Sequence, residues 1–302
     1  WVKSRQRLKV DSQKRVALLM SFDDNIHHII EVLPQAGVLA AVQVILFGIS
    51  LWVTKRWWPT HPDQWTVADC LVSVALYPIL TVAAFQGVFE LRLTVESRWH
   101  ARTFASTFFQ TLYVTRCILH GGVLFMQHMS FVDLVLMVVH HVLSICCFSS
   151  ALVTGNMHYW ACLNGICETT NIFMNNVWLF KTVTYRNQRL QDYLPRTHAV
   201  NGVFLWLSYL VFRMLLFPYW LYTWYVDVTG SSAQTWDRVS PYERYFYPSV
   251  TVFLLLISFM WFTKITQGLC KVLSGLLAPP QNGGYLPLGE NDPANANGMS
   301  EH

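Results

Sequence analysis

Seven stretches of about 20 predominantly apolar residues, each long enough to cross the hydrocarbon layer of a bilayer as a helix, dominate this sequence. They lie at 33–53, 67–89, 104–126, 131–153, 159–180, 200–225 and 246–269. The expected fold class is therefore all-α, a polytopic membrane helix bundle of six or seven transmembrane helices. The third stretch decides the count, because Arg116 and His120 sit within it. As a re-entrant or interfacial segment it would leave six crossings.

Charge is scarce and mostly segregated into the connections between the apolar stretches. Only 13% of the 302 residues are charged, against about 25% in soluble domains. A mean hydropathy of +0.33 over this length excludes a disordered or fibrous chain and argues against a soluble enzyme. The net charge is +4 with no basic stripe interleaved with aromatics, so no nucleic-acid partner is expected. Seven cysteines fall in or beside the apolar stretches without a Cys-x-x-Cys pair. They read as small apolar packers rather than disulfides or zinc ligands.

Residues 1–32 form a basic N-terminal segment, with Lys3, Arg5, Arg7, Lys9, Lys14 and Arg15 ahead of His27 and His28. It reads as an amphipathic interfacial helix or as a solvated tail. Residues 33–64 hold the first transmembrane helix and its loop, 65–272 the main helical domain, and 273–302 a tail. From Ala278 that tail is rich in Pro, Gly and Asn and is expected to be disordered. Eleven basic residues flank the side holding the N-terminus and eight the other, a slight bias toward a cytosolic N-terminus.

Polar side chains at membrane depth are costly unless they face protein or a wet cavity, so they mark a site. In the fifth stretch Asn164, Glu168, Asn171 and Asn175 follow at spacings of 4, 3 and 4, which places them on one helical face. They line a cavity or glue helices together by hydrogen bonds. The fourth stretch carries adjacent His140 and His141, about 100° apart on a helix. Ser144 and Asp133 share the face of His140, with Asp133 placed to cap the helix. Tyr113, Arg116 and His120 share a face of the third stretch, and Arg213 lies in the sixth among Tyr209, Phe212 and Phe217. Glu168 is the one acid deep in the fourth to sixth stretches, and so the expected partner of Arg116 or Arg213.

His120, His128, His140, His141 and His158 form no His-x-x-His-His box. Adjacent histidines also lack the helical ligand spacing, so no metal is expected. Neither a nucleophile elbow, a phosphate loop nor a dinucleotide fingerprint is present.

The order His140-His141, then Cys167-Glu168-Thr169-Thr170-Asn171-Ile172-Phe173-Met174-Asn175-Asn176, then Val200-Asn201-Gly202-Val203-Phe204 leading to Phe212-Arg213, resembles the TLC-domain family. That family includes the ceramide synthases; within it the chain is similar to a branch of small TLC-domain-containing proteins. The resemblance covers about residues 65–272. It implies a bundle around a lipid-accommodating cavity, in the endoplasmic reticulum membrane, with a sphingolipid-related part in lipid homeostasis. In ceramide synthases the paired histidines lie where an acyl chain passes from acyl-CoA to a sphingoid amine. His140 and His141 match them, which implies a catalytic role, with Glu168 as an orienting third member. Ceramide synthases carry His-Asp-x-x-Asp where this chain has Cys167-Glu168-Thr169-Thr170-Asn171; that departure sets it apart from ceramide synthesis.

The function implied is binding or remodelling of membrane lipids, with Arg116, His120, Ser144, Asn164, Asn171, Asn175 and Arg213 as lipid-binding residues. One alternative is an acyltransferase acting on a lipid amine or hydroxyl through the His140-His141 pair, with acyl-CoA as co-substrate and no other cofactor. A second is a transporter or channel, where intramembrane Arg, His and Glu also serve. Membrane lipids are the expected partners, and the sequence leaves open whether the chain is an enzyme and how it oligomerises.

Overall fold

In lipid every backbone N–H and C=O must find its partner within the segment, so apolar stretches of this length fold as helices. The computed structural model describes residues 2–127, 130–186 and 188–277. Its helices are α1 (Val2–Trp57), α2 (Gln64–Leu91), α3 (Val95–His100), α4 (Phe104–Leu124), α5 (Phe131–Thr154), α6 (His158–Gly165), α7 (Thr169–Thr182), α8 (Leu190–Tyr193), α9 (Pro195–Tyr209), α10 (Leu216–Gly230) and α11 (Pro241–Leu277). A two-stranded hairpin, β1 (Thr184–Tyr185) against β2 (Gln188–Arg189), is antiparallel.

Each apolar stretch becomes one long helical rod: α1, α2, α4, α5, α6 with α7, α9 with α10, and α11. Among the described residues, five of these are long and apolar enough to cross a membrane: Asn25–Trp57, Gln64–Leu91, Phe131–Thr154, Pro195–Gly230 and Pro241–Ser274. The more polar α4 packs among α1, α2 and α5, and α7 lies between α2 and α9.

Connections alternate between two ends, as an antiparallel bundle requires. At one end Trp58 Nε1 donates to Thr184 O at 2.9 Å, joining the α1–α2 and α7–α9 connections. At the other, Arg98 and Trp99 of α3 donate to the Asp227 carboxylate of α10, and His28 Nδ1 meets Val153 O at 3.3 Å. Buried tryptophans lock that second end. Trp99 lies 4.4 Å from Trp224, and Trp224 stacks on Trp220 at 4.9 Å.

Three local features differ from expectation. The fifth stretch is not one helix, because a 3-10 turn at Ile166–Glu168 separates α6 from α7. Just before it, Gly165 lets α6 lie against α4: a Cβ there would sit 2.0 Å from Phe109 Cζ. A π turn at Leu210–Leu215 likewise interrupts the sixth stretch. At the start of α5 the cap is Ser130, whose Oγ accepts from Asp133 N–H at 3.2 Å; Asp133 is the first-turn acid rather than the cap. The α1 helix passes residue 33 without a break. Side chains of the basic residues between 3 and 15 lie outside the described residues, as do His128 and the tail from Ala278.

Candidate functional site

Midway along the bundle, α4, α5, α6, the 3-10 turn and α11 enclose a cavity of about 20 Å³, room for roughly one water. Its polar wall is Tyr113, His140, Ser144, Asn164, Glu168 and Tyr247. An acyl chain does not fit in this conformation; a single hydroxyl, amine or water does.

Glu168 is held by neutral donors. Tyr113 Oη donates to Oε1 at 2.9 Å, Cys167 Sγ approaches the same oxygen at 3.6 Å, and Asn171 Nδ2 donates to Oε2. Among the described residues Glu168 makes no ion pair, so the expected pairing with Arg116 or Arg213 is corrected. The tight 3-10 turn aims Glu168 at α4 and its own neighbours, and Arg116 has another acid. No hydrogen bond among the described residues joins Glu168 to His140 or His141, so the orienting contact implied by resemblance is not made.

That other acid is Asp69 of α2. Arg116 Nη2 donates to Asp69 Oδ1 and to Ser73 Oγ, each at 2.7 Å. His120 Nδ1 lies 2.8 Å from Asp69 Oδ2. Sequence reasoning passed over Asp69 and Ser73, although an acid and a hydroxyl four residues apart inside an apolar stretch carry the same signal as the Asn164–Asn175 series. Arg116 and His120 thus belong to a separate cluster rather than to the cavity.

Because His140 and His141 are adjacent on a helix, they serve different neighbourhoods. His140 faces the cavity. His141 meets it edge-on, with ring centres 5.5 Å apart at 89°, donates Nδ1–H to Met137 O at 2.7 Å, and lies 5.0 Å from the His120 ring. In this way α5 links the Asp69 cluster to the cavity.

The remaining predicted residues are dispersed. Asn164 is at the cavity, where its Nδ2 donates to Thr251 Oγ1 at 3.0 Å, and Ser144 is beside it. Asn171 reaches the site only through Glu168. Asn175 turns away and donates to Asn171 O at 2.7 Å. Arg213 donates from Nε to Thr170 Oγ1 at 3.1 Å. The cavity residue Tyr247 of α11 and Thr251, the partner of Asn164, were missed, because lone Tyr and Thr in an apolar stretch carry no signal. Among the described residues no cluster of His, Cys, Asp and Glu has metal-binding geometry. The seven cysteines are free thiols.

A buried carboxylate fed by neutral donors, beside an imidazole without a hydrogen-bond partner among the described residues, can accept or pass a proton from a group entering the cavity. A bundle of apolar rods around a polar pocket at mid-depth is a multi-pass integral membrane protein. The chain belongs to the TLC domain family: the model of that domain, shared by TRAM, LAG1 and CLN8 proteins, matches residues 34–267. TLC domain-containing protein 4-B of Danio rerio is 24% identical over 147 residues, covering 47% of this chain and 51% of that protein. The match therefore spans about half the length of that curated relative. No solved structure matches the chain significantly.

Proposed function

We propose that this protein binds a membrane lipid with its polar group at the His140–Glu168 cavity and so influences membrane lipid composition, in the endoplasmic reticulum. One observation carries this: Tyr113, His140, Asn164 and Glu168 converge midway along the bundle on one small cavity between the helices. Polar groups so placed are expensive and are retained where a ligand uses them. With room for about one water, the cavity takes the head of a ligand while its chain passes between helices. The Cys167–Asn171 element, with one acid instead of two, supports a role other than ceramide synthesis.

A second reading is favoured by the position of His140 alone. If the entering group is a lipid hydroxyl or amine, its heteroatom attacks the thioester carbonyl of acyl-CoA and its proton passes to His140. The C–S bond then breaks, and the leaving thiolate takes that proton back.

Mass spectrometry of lipids copurifying with wild type and with the His140→Ala/His141→Ala protein, acyl-CoA supplied, separates the readings. An acylated lipid formed by wild type alone establishes acyl transfer. Retention of one lipid class by both proteins establishes binding without catalysis. Absence of any retained lipid overturns both.

A further inference from the structure

Two hydroxyls and a guanidinium lie together without the partners that their burial demands. Tyr209 Oη and Ser258 Oγ have no hydrogen-bond partner among the described residues, although both residues are 0% exposed. The Tyr209 hydroxyl lies beside Ser258 and Arg213, without a hydrogen bond of good geometry to either. Arg213 is 4% exposed. Its guanidinium carbon stands 5.2 Å from the centre of the Tyr209 ring, and among the described residues only its Nε donates to a protein acceptor, the neutral Thr170 hydroxyl.

The other charges at this depth are compensated. Arg116 has Asp69 at 2.7 Å, and Glu168 has its three neutral donors. Arg213 has no carboxylate within ion-pair distance among the described residues, although Glu168 and Cys167, which wall the cavity, feel its field. A guanidinium left uncompensated in a low-dielectric interior is strongly unfavourable. Arg213 also sits in the π turn Leu210–Leu215, the only one among the described residues; such turns are rare and recur at functional sites. Ser258 reaches the same place from α11.

We infer that Arg213, Tyr209 and Ser258 form a receptor for one lipid-borne oxyanion, a carboxylate or a phosphate, at the middle of the bundle. This rests on the lipid-binding function proposed above and adds to the His140–Glu168 cavity, which these three residues do not line, a second polar contact that names the class of lipid. A guanidinium has five N–H donors, of which one is engaged, and two hydroxyls can each add another. A set of unengaged donors around a positive charge suits a group that only accepts and carries negative charge. A neutral alcohol would leave the charge unmet.

Equilibrium binding to the full chain in detergent, with oleate, oleoyl lysophosphatidate and oleyl alcohol as probes, tests this. At least one of the two anions is expected to bind about tenfold more tightly than the alcohol, and the tighter of the two identifies the source of the oxyanion. Arg213→Met should abolish that preference, and Tyr209→Phe/Ser258→Ala should weaken it. The lipid-free Arg213→Met protein should melt no lower than wild type, since it loses an uncompensated charge. A lower melting temperature or failure to fold would mean that Arg213 serves packing, and would overturn the inference. Equal binding of all three probes would also overturn it, leaving a water-filled polar pocket in a lipid-binding protein. Binding of none would remove the lipid-binding function as well.

Discussion

Arg116 of α4 is neutralised by Asp69 of α2, with 2.7 Å between Nη2 and Oδ1. Both are almost fully buried, at 3% and 2% exposure. Ser73 takes a second bond from the same Nη2, and His120 occupies the other carboxylate oxygen. The pair cross-links two rods, and among the described residues Arg116 has no other carboxylate and Asp69 no other guanidinium within ion-pair distance, so each residue depends on the other.

Removing one member should therefore hurt far more than removing both. Asp69→Ala or Arg116→Met alone is expected to cost about 3–5 kcal/mol, and the double Asp69→Ala/Arg116→Met replacement much less than the sum. Thermal or denaturant unfolding of the four proteins in one detergent measures the coupling. Additive losses would show that the two charges do not depend on one another.

Glu168→Gln should be milder. The carboxylate accepts from Tyr113, Cys167 and Asn171, so the new amide faces one donor unfavourably. That mismatch costs about 1–3 kcal/mol, and no ion pair among the described residues is broken. A loss as large as that of Asp69→Ala would mean that Glu168 has an arginine partner after all.

At Gly165 the prediction concerns shape. A Cβ would stand 2.0 Å from Phe109 Cζ, so Gly165→Ala should destabilise by about 1–3 kcal/mol or more through overpacking. Phe109→Leu in the same chain should recover part of that loss. Without recovery, the strain would lie in the backbone of the 3-10 turn.

Outside the membrane-spanning rods, the Arg238 guanidinium lies 2.7 Å from Glu96 and holds its carboxyl below the usual carboxylate range. A carboxyl whose folded pKa lies below its unfolded value stabilises the fold at neutral pH. That contribution disappears as pH falls through the folded value. Glu96→Gln should lower the melting temperature slightly at pH 7 and not at all below the carboxylate range. The effect is small because the pair is exposed; a gap that widened in acid would contradict the assignment.

Much of the site was legible residue by residue and little of it pair by pair. His140, Ser144, Asn164 and Glu168 do meet at one cavity, because polar groups at membrane depth stand out against an apolar background. The Asn164–Asn175 face breaks up, however, since the 3-10 turn after Gly165 changes the rotation on which its spacing depends. His141 leaves the cavity for His120 and Met137, as two adjacent helical residues must diverge. Asp69 near the start of α2 went unread as the partner of Arg116, and the orphaned hydroxyls of Tyr209 and Ser258 have no sequence signature.

Sequence by itself determined the rods, because helical hydrogen bonds are local and the bilayer sets the length of apolar chain that must be buried. It also determined which residues would be costly at that depth. Tertiary structure alone decided who relieves the cost of each. Asp69 and Arg116 stand 47 residues apart, and their meeting depends on which rods become neighbours and how each is rotated. A turn as slight as Ile166–Glu168 or Leu210–Leu215 resets that rotation, and with it the partner of every polar group beyond it.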